Sequence, residues 1–89
     1  METMPIKCLL LKNNSIIISE IVEVVSELGE PDCKLINPYV LKKSISGEYF
    51  LEWWLDFSEQ NELMMHSDSI LTIVDPKSEI LKKYLEMTL

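Results

Sequence analysis

Apolar positions recur at period two through most of this chain and shift to helical spacing only at its end. Ile6 to Leu11 is a compact apolar run, and it stops at Lys12-Asn13-Asn14. Paired asparagines tolerate the left-handed backbone of a tight hairpin, so two antiparallel strands are predicted around them. The second, Ser15 to Val25, carries Ile16, Ile18, Val22 and Val24 on one face and Ile17, Ile21 and Val25 on the other. Burial on both faces and a high content of β-branched residues predict a long, bent strand. Turn formers follow in Leu28-Gly29-Glu30-Pro31-Asp32, after which Cys33, Leu35, Tyr39 and Leu41 alternate with Lys34, Ile36, Pro38 and Val40 in a third strand. Pro38 has no N–H to give to a ladder, which places it at an edge or a bulge.

Beyond the polar stretch Lys42 to Glu48, with Gly47 in it, a fourth strand starts at Tyr49 and sets Leu51, Trp53, Leu55 and Phe57 on one face. Ser58 to Asn61 either interrupts that strand or joins it to another, because Leu63, Met64 and Met65 resume the apolar pattern. The segment "MMHSDSILTIVDP", residues 64 to 76, then breaks at small and polar residues that include the single histidine, His66, before a β-branched run returns. Asp75-Pro76 predicts a helix start, with Asp as cap and Pro at the first helical position, and the helix runs to about Met87. Its apolar stripe is Ile80, Leu81, Tyr84 and Leu85, while Glu79 and Lys83 lie four apart on the outer side.

At 89 residues the chain fits one small domain, residues 1 to 89. A domain of that size buries only about 60% of its unfolded surface and gains from a neighbour. Fifteen acidic residues against eight basic ones leave a net charge of −7, and every basic residue is lysine. Without arginine the bidentate fork used on bases and phosphates is missing, so any nucleic-acid contact is local rather than a broad polyanion surface. Cys8 and Cys33 sit among Ile and Leu outside any metal-ligand spacing and read as buried thiols. No charged-then-apolar leader marks Met1 to Pro5, and no apolar run approaches the roughly 18 residues of a membrane span, so a soluble cytoplasmic protein is expected.

Five strands with short connections and a terminal helix are the content of a small bent antiparallel barrel. "LLLKNNSIIISEIVEV" resembles the first signature of Sm-like proteins, an apolar strand, an Asn-containing turn and a long bent strand. "MHSDSILTI" is similar to their second signature, with Met65 at an apolar position, His66 at the usual Arg, Ser67 at the Gly and Asp68 at the frequent Asp or Asn. The Asp-x-x-Met-Asn stretch is approximated by Asp32-Cys33-Lys34-Leu35, with Asn37 one place late. The helix is at the opposite end from the one with which the family's typical member begins. In layout the chain looks most like small Sm-like proteins of cyanophages and marine metagenomes, which implies a phage-encoded protein in the host cytoplasm.

The resemblance implies a five-stranded Sm-like barrel over about residues 6 to 75 with a C-terminal helix over about 76 to 87. It also implies a homo-oligomeric ring closed by edge pairing of the fourth and fifth strands, and single-stranded RNA held at the pore-side turn. The RNA-binding candidates are His66, Ser67 and Asp68, with Lys34 and Asn37. The interface candidates are Trp54, Met64, Ile70 and Thr72. Trp53 and Trp54 point to opposite faces if they share a strand, which sends Trp53 to the core and Trp54 outward as an interface anchor or stacking platform.

His66, Ser67, Asp68 and Ser69 hold the residue types of a hydrolytic triad, but neighbours along an extended segment point alternately and do not converge. No enzyme, cofactor or metal site is expected, since His66 and Asp68 lack a third ligand within one chain. The other function class is a non-enzymatic assembly or adaptor protein, binding a phage or host protein through the acidic surface of the same ring.

Overall fold

The computed structural model describes residues 5–88, and the expectation drawn from residues 1–4 lies outside them. Six strands, β1 (Ile6–Leu11), β2 (Ile16–Glu23), β3 (Cys33–Lys43), β4 (Tyr49–Trp53), β5 (Glu62–Met65) and β6 (Ile70–Val74), precede α1 (Ser78–Thr88). The sheet is antiparallel in the order β4-β3-β2-β1-β6, and β5 also pairs with β3. β4 and β5 therefore follow one another along the same side of β3, opposite residues 39–43 and 33–36. Residues 54–61 interrupt what is one position of the sheet.

This corrects the expected closed five-stranded barrel: the strands number six and the sheet is open. Its two ends are nonetheless close, because only His66 to Ser69 separates β5 from β6. Five Cα steps span at most about 18 Å, so the sheet has to curl for so short a connection to reach from one end to the other. Curling without closure leaves one side of β6, and the outer side of β4 and β5, without a strand partner among the described residues.

The bend is built into β3. Asn37 takes a positive φ of 54°, and Pro38 has no N–H to offer the ladder. The β2–β3 register shifts at the same level, between Ile18 and Glu20. Pro38 thus marks an irregularity inside a central strand. Backbone groups freed there need other partners, since a buried orphan costs about 1–3 kcal/mol. Two hydroxyls supply them. Ser19 Oγ, fully buried, lies 2.9 Å from the Ile36 carbonyl oxygen and 2.8 Å from that of Glu20, with one proton to donate, and Tyr84 Oη, on α1, accepts the Glu20 N–H at 3.2 Å and lies 2.9 Å from the Asn37 carbonyl oxygen.

Apolar packing falls into two clusters, one on each face of the sheet. Cys8, Ile18, Leu51, Ile80 and Tyr84 form the one under α1, where the Tyr39 ring meets Tyr84 edge-on at 6.0 Å. Leu9, Leu11, Ile17 and Leu35 fill the inside of the curl, against Trp54, Leu63, Met65 and Ile70. The tight turn after β1 forms as its asparagines predict, with Asn14 at φ 70°.

Other boundaries differ from the sequence pattern. β2 ends at Glu23, and Val25 is fully exposed beyond it. β4 ends at Trp53, so Phe57 does not share the Leu51 face and is 82% exposed. α1 begins at Ser78, with the Lys77 carbonyl accepting the Ile80 and Leu81 N–H groups. Asp75 pairs with Lys7 on β1. Within the predicted stripe, Ile80 and Tyr84 are buried whereas Leu85 is exposed.

Candidate functional site

His66 is extended (φ −79°, ψ 128°) and leads into a single 3₁₀ turn, Ser67–Ser69. The Ser69 N–H closes it on the His66 carbonyl at 3.1 Å. The turn is held from both sides by distant segments. On one side Asp32, at the end of the β2–β3 loop, accepts the Ser67 N–H at 2.7 Å and the Ser67 hydroxyl at 2.6 Å. On the other, the Lys12 N–H of the β1–β2 hairpin donates to the Ser69 carbonyl at 3.0 Å.

The two Ser67 hydrogen bonds hold the Asp32 carboxyl below its ordinary value, with a smaller contribution from nearby His66. Ser67 Oγ is thereby committed to Asp32, an anchoring role. His66 and Asp68 stay exposed. A shallow cleft of about 210 Å³ runs between the two loops, lined by Gly29, Glu30, Asp32, His66, Ser67 and Asp68. Three carboxylates and one imidazole make it acidic. It can exchange hydrogen bonds at the His66 imidazole and accept them at the Asp68 carboxylate, and it repels phosphate more than it repels a base.

Lys34 and Asn37 are placed apart from this turn. Lys34 pairs in register with Met64 and its ammonium bonds Glu62 at 3.3 Å. Asn37 lies past the far end of β5, its N–H donating to the Asn61 carbonyl at 2.8 Å. The structure thus brings together His66, Ser67 and Asp68, adds Asp32, and leaves Lys34 and Asn37 farther along β3.

The profile for a family of unknown function, DUF6561, matches residues 4–89. The chain belongs to the DUF6561 family. No curated protein matches it.

In this DUF6561 chain the candidate interface residues fall in two groups. Ile70 and Thr72 lie on β6, where Leu71, Ile73 and Val74 are 57%, 47% and 53% exposed. Met64, on β5, is 47% exposed. Trp54 departs from the expectation of an exposed side chain: it takes the face opposite Trp53, but that face is the inside of the curl, so it is half-buried and packs on the inner cluster. Trp53 is half-buried as well, edge-on to Tyr39 at 5.4 Å with its indole N–H donating to the Ser58 carbonyl at 3.0 Å. Among the described residues no three His, Cys, Asp or Glu side chains converge as for a metal ion, and no helix is long and apolar enough to cross a membrane.

Asp32 falls in the Asp-x-x-Met-Asn-like stretch of the sequence, but its role as the anchor of Ser67 is not foreseen there. Its partner lies 35 positions away, and no local pattern links them.

Proposed function

We propose that the chain is an Sm-like protein that assembles into a homo-oligomeric ring and meets single-stranded RNA at the His66 turn. One observation carries the assembly: β6 is an edge strand with apolar side chains exposed on both faces and an open ladder on its outer side. Such an edge recruits another strand, and an isolated monomer that exposed it would aggregate. The outer side of β4 and β5 is the complementary edge, with exposed Met64 on it. Pairing β6 of one copy with β5 of the next covers both and leaves the next pair of edges free, so a heterologous contact repeats until the rotation closes. An interface of ordinary size hides about 800 Å² per partner, and such burial is a large gain for a domain of this length.

The second support is the sheet order. With β4 and β5 counted as one interrupted position, five positions run fourth-third-second-first-fifth, and the short turn between the last two meets the loop after β2. Each copy then contributes a His66 turn to one side of the ring. His66 and Asp68 are the RNA-contacting groups, acting on base edges rather than on phosphate, and Ser67 fixes their placement through Asp32.

Solution mass by light scattering tests the assembly. A multiple of 10.4 kDa is expected, and Ile73→Lys, which sets a charge on the edge, is expected to lower it. A monomeric native chain refutes the ring. RNA contact is tested by anisotropy of a labelled oligonucleotide, with a shallow salt slope because few phosphates are neutralised, and with weakening by His66→Ala. Absence of binding at low salt refutes that part.

The acidic lining of the turn favours a second reading, in which the ring is a non-enzymatic adaptor for a phage or host protein. Glu30, Asp32 and Asp68, multiplied around a ring, suit a basic partner surface. Recovery of RNA but no protein in a pull-down rejects it.

A further inference from the structure

The other flank of the His66–Ser69 turn carries a pocket that neither the family nor the turn accounts for. Leu11, Lys12, Asn13, Trp54, Met65 and Ser69 line about 310 Å³ of space. That is the small end of the range for ligand sites, about 300–1,000 Å³, and it suits a single aromatic ring system. Its walls are apolar: Leu11 is buried, and Trp54 and Met65 are half-buried against the inner cluster.

The rim is polar and stiff. The Lys12 N–H is bonded to Ser69, the Leu11 N–H to the Ser15 carbonyl at 2.9 Å and the Asn14 N–H to the Leu11 carbonyl at 2.9 Å. Asn13 Oδ1 accepts the Ser15 N–H at 3.0 Å, which leaves the amide NH₂ of Asn13 as a donor. Lys12, like Lys43, Lys77, Lys82 and Lys83, forms no ion pair among the described residues, and of these it is the one that lines the pocket. An indole, an uncommitted ammonium and an amide donor around one small concavity are the groups that recognise a planar base bearing an anionic phosphate.

We infer that this pocket holds one nucleotide, its base against Trp54 and its phosphate at Lys12. The ligand is either a free mononucleotide or one nucleotide of a single strand. Only the second source rests on the proposed RNA reading, because a strand leaving the pocket over Ser69 reaches the His66 side of the same turn.

The test is a titration of the full-length protein with AMP, UMP and a 12-nucleotide single-stranded RNA, followed by tryptophan fluorescence and calorimetry. Saturable quenching is expected. Lys12→Glu weakens it about tenfold or more, as loss of a charge-assisted contact does. Trp54→Leu weakens it about fivefold to a hundredfold. Trp54 also packs on the core, so Trp54→Phe and a melting curve separate a lost base contact from a lost fold, while Lys43→Glu at the β3 end is the charge control. Binding of the mononucleotides, sensitive to Lys12→Glu, supports the pocket with a free ligand. Binding of the 12-mer alone, with the same sensitivity, supports it with a strand as the source. No saturation by any of the three, or saturation unaffected by Lys12→Glu, overturns the inference. RNA binding that responds to His66→Ala but not to Lys12→Glu overturns it while leaving the Sm-like reading in place.

Discussion

Tyr84→Phe removes a single oxygen and tests how the bend in the sheet is sustained. Tyr84 is fully buried, and its hydroxyl accepts the Glu20 N–H at 3.2 Å while facing the Asn37 and Ile36 carbonyls at 2.9 and 3.1 Å. The ring stays in the variant, so the apolar packing against Ile18 and Leu51 is kept. What is lost is one donated and one accepted hydrogen bond, and an N–H left unpaired inside costs about 1–3 kcal/mol. Ser19 Oγ stays within 2.9 Å of the Ile36 carbonyl and can donate to it, which limits the damage on the acceptor side. About 2 kcal/mol is therefore expected, equivalent to roughly 8–16 °C in Tm for a domain of this size. The assay is urea and thermal unfolding by circular dichroism at fixed protein concentration, with an unchanged m-value.

The same hydroxyl supplies a pH signature. Burial pushes its pKa up to about 12 from the ordinary 10.0. A folded-state value above the unfolded one makes the contribution complete below pH 10.0, and it declines as pH rises toward about 12. The advantage of the native chain over Tyr84→Phe is thus expected to shrink across that interval, by about 1.4 kcal/mol per pH unit, with charges elsewhere cancelling between the two proteins. A difference under about 0.5 kcal/mol at pH 7, or one that does not change between pH 10.0 and 12, refutes the hydroxyl as the group that satisfies the bend.

Three further outcomes follow from the same packing. Leu9 is fully buried inside the curl, so Leu9→Ala is expected to destabilise by about 2–5 kcal/mol in denaturant unfolding, and a loss below about 1 kcal/mol contradicts a packed interior there. Asp32 is held below its ordinary 3.8 by Ser67, so the bond is lost as pH falls through the lower folded value; the Ser67 amide shift in NMR is expected to titrate with a midpoint below 3.8, and Ser67→Ala to raise the Asp32 midpoint. Burial raises the Cys8 and Cys33 thiols, so reaction with an aromatic disulfide reagent at pH 8 is expected to be at least roughly tenfold slower in the native protein than in urea, and equal rates rule out buried thiols.

Local pattern decided most of the secondary structure, because alternation and turn chemistry are properties of neighbours. The Lys12-Asn13-Asn14 hairpin, the apolar runs of β1, β2 and β3, and the terminal helix stripe through Ile80 and Tyr84 were all legible. Pro38 announced an irregularity by lacking a donor. Legibility stopped where competing partners are distant in the chain. Asp75 reads as a cap, yet the helix begins at Ser78 and Asp75 instead faces the Lys7 ammonium on β1. Trp54 reads as outward because Trp53 takes the other face, but the curl of the sheet packs both faces, so the face opposite Trp53 is an interior one.

What the chain's residues determined by themselves is a mostly β domain with one C-terminal helix, an acidic surface without arginine, and a break around His66. Only the tertiary structure decided that the sheet curls without closing, that β5 and β6 keep free edges, and that Asp32 and Lys12 grip the His66 turn from opposite sides. The physical reason is reach: hydrophobic alternation and turn propensity act over a few residues, whereas edge exposure and the choice of hydrogen-bond partner depend on which distant segments the curl of the sheet brings within about 3 Å.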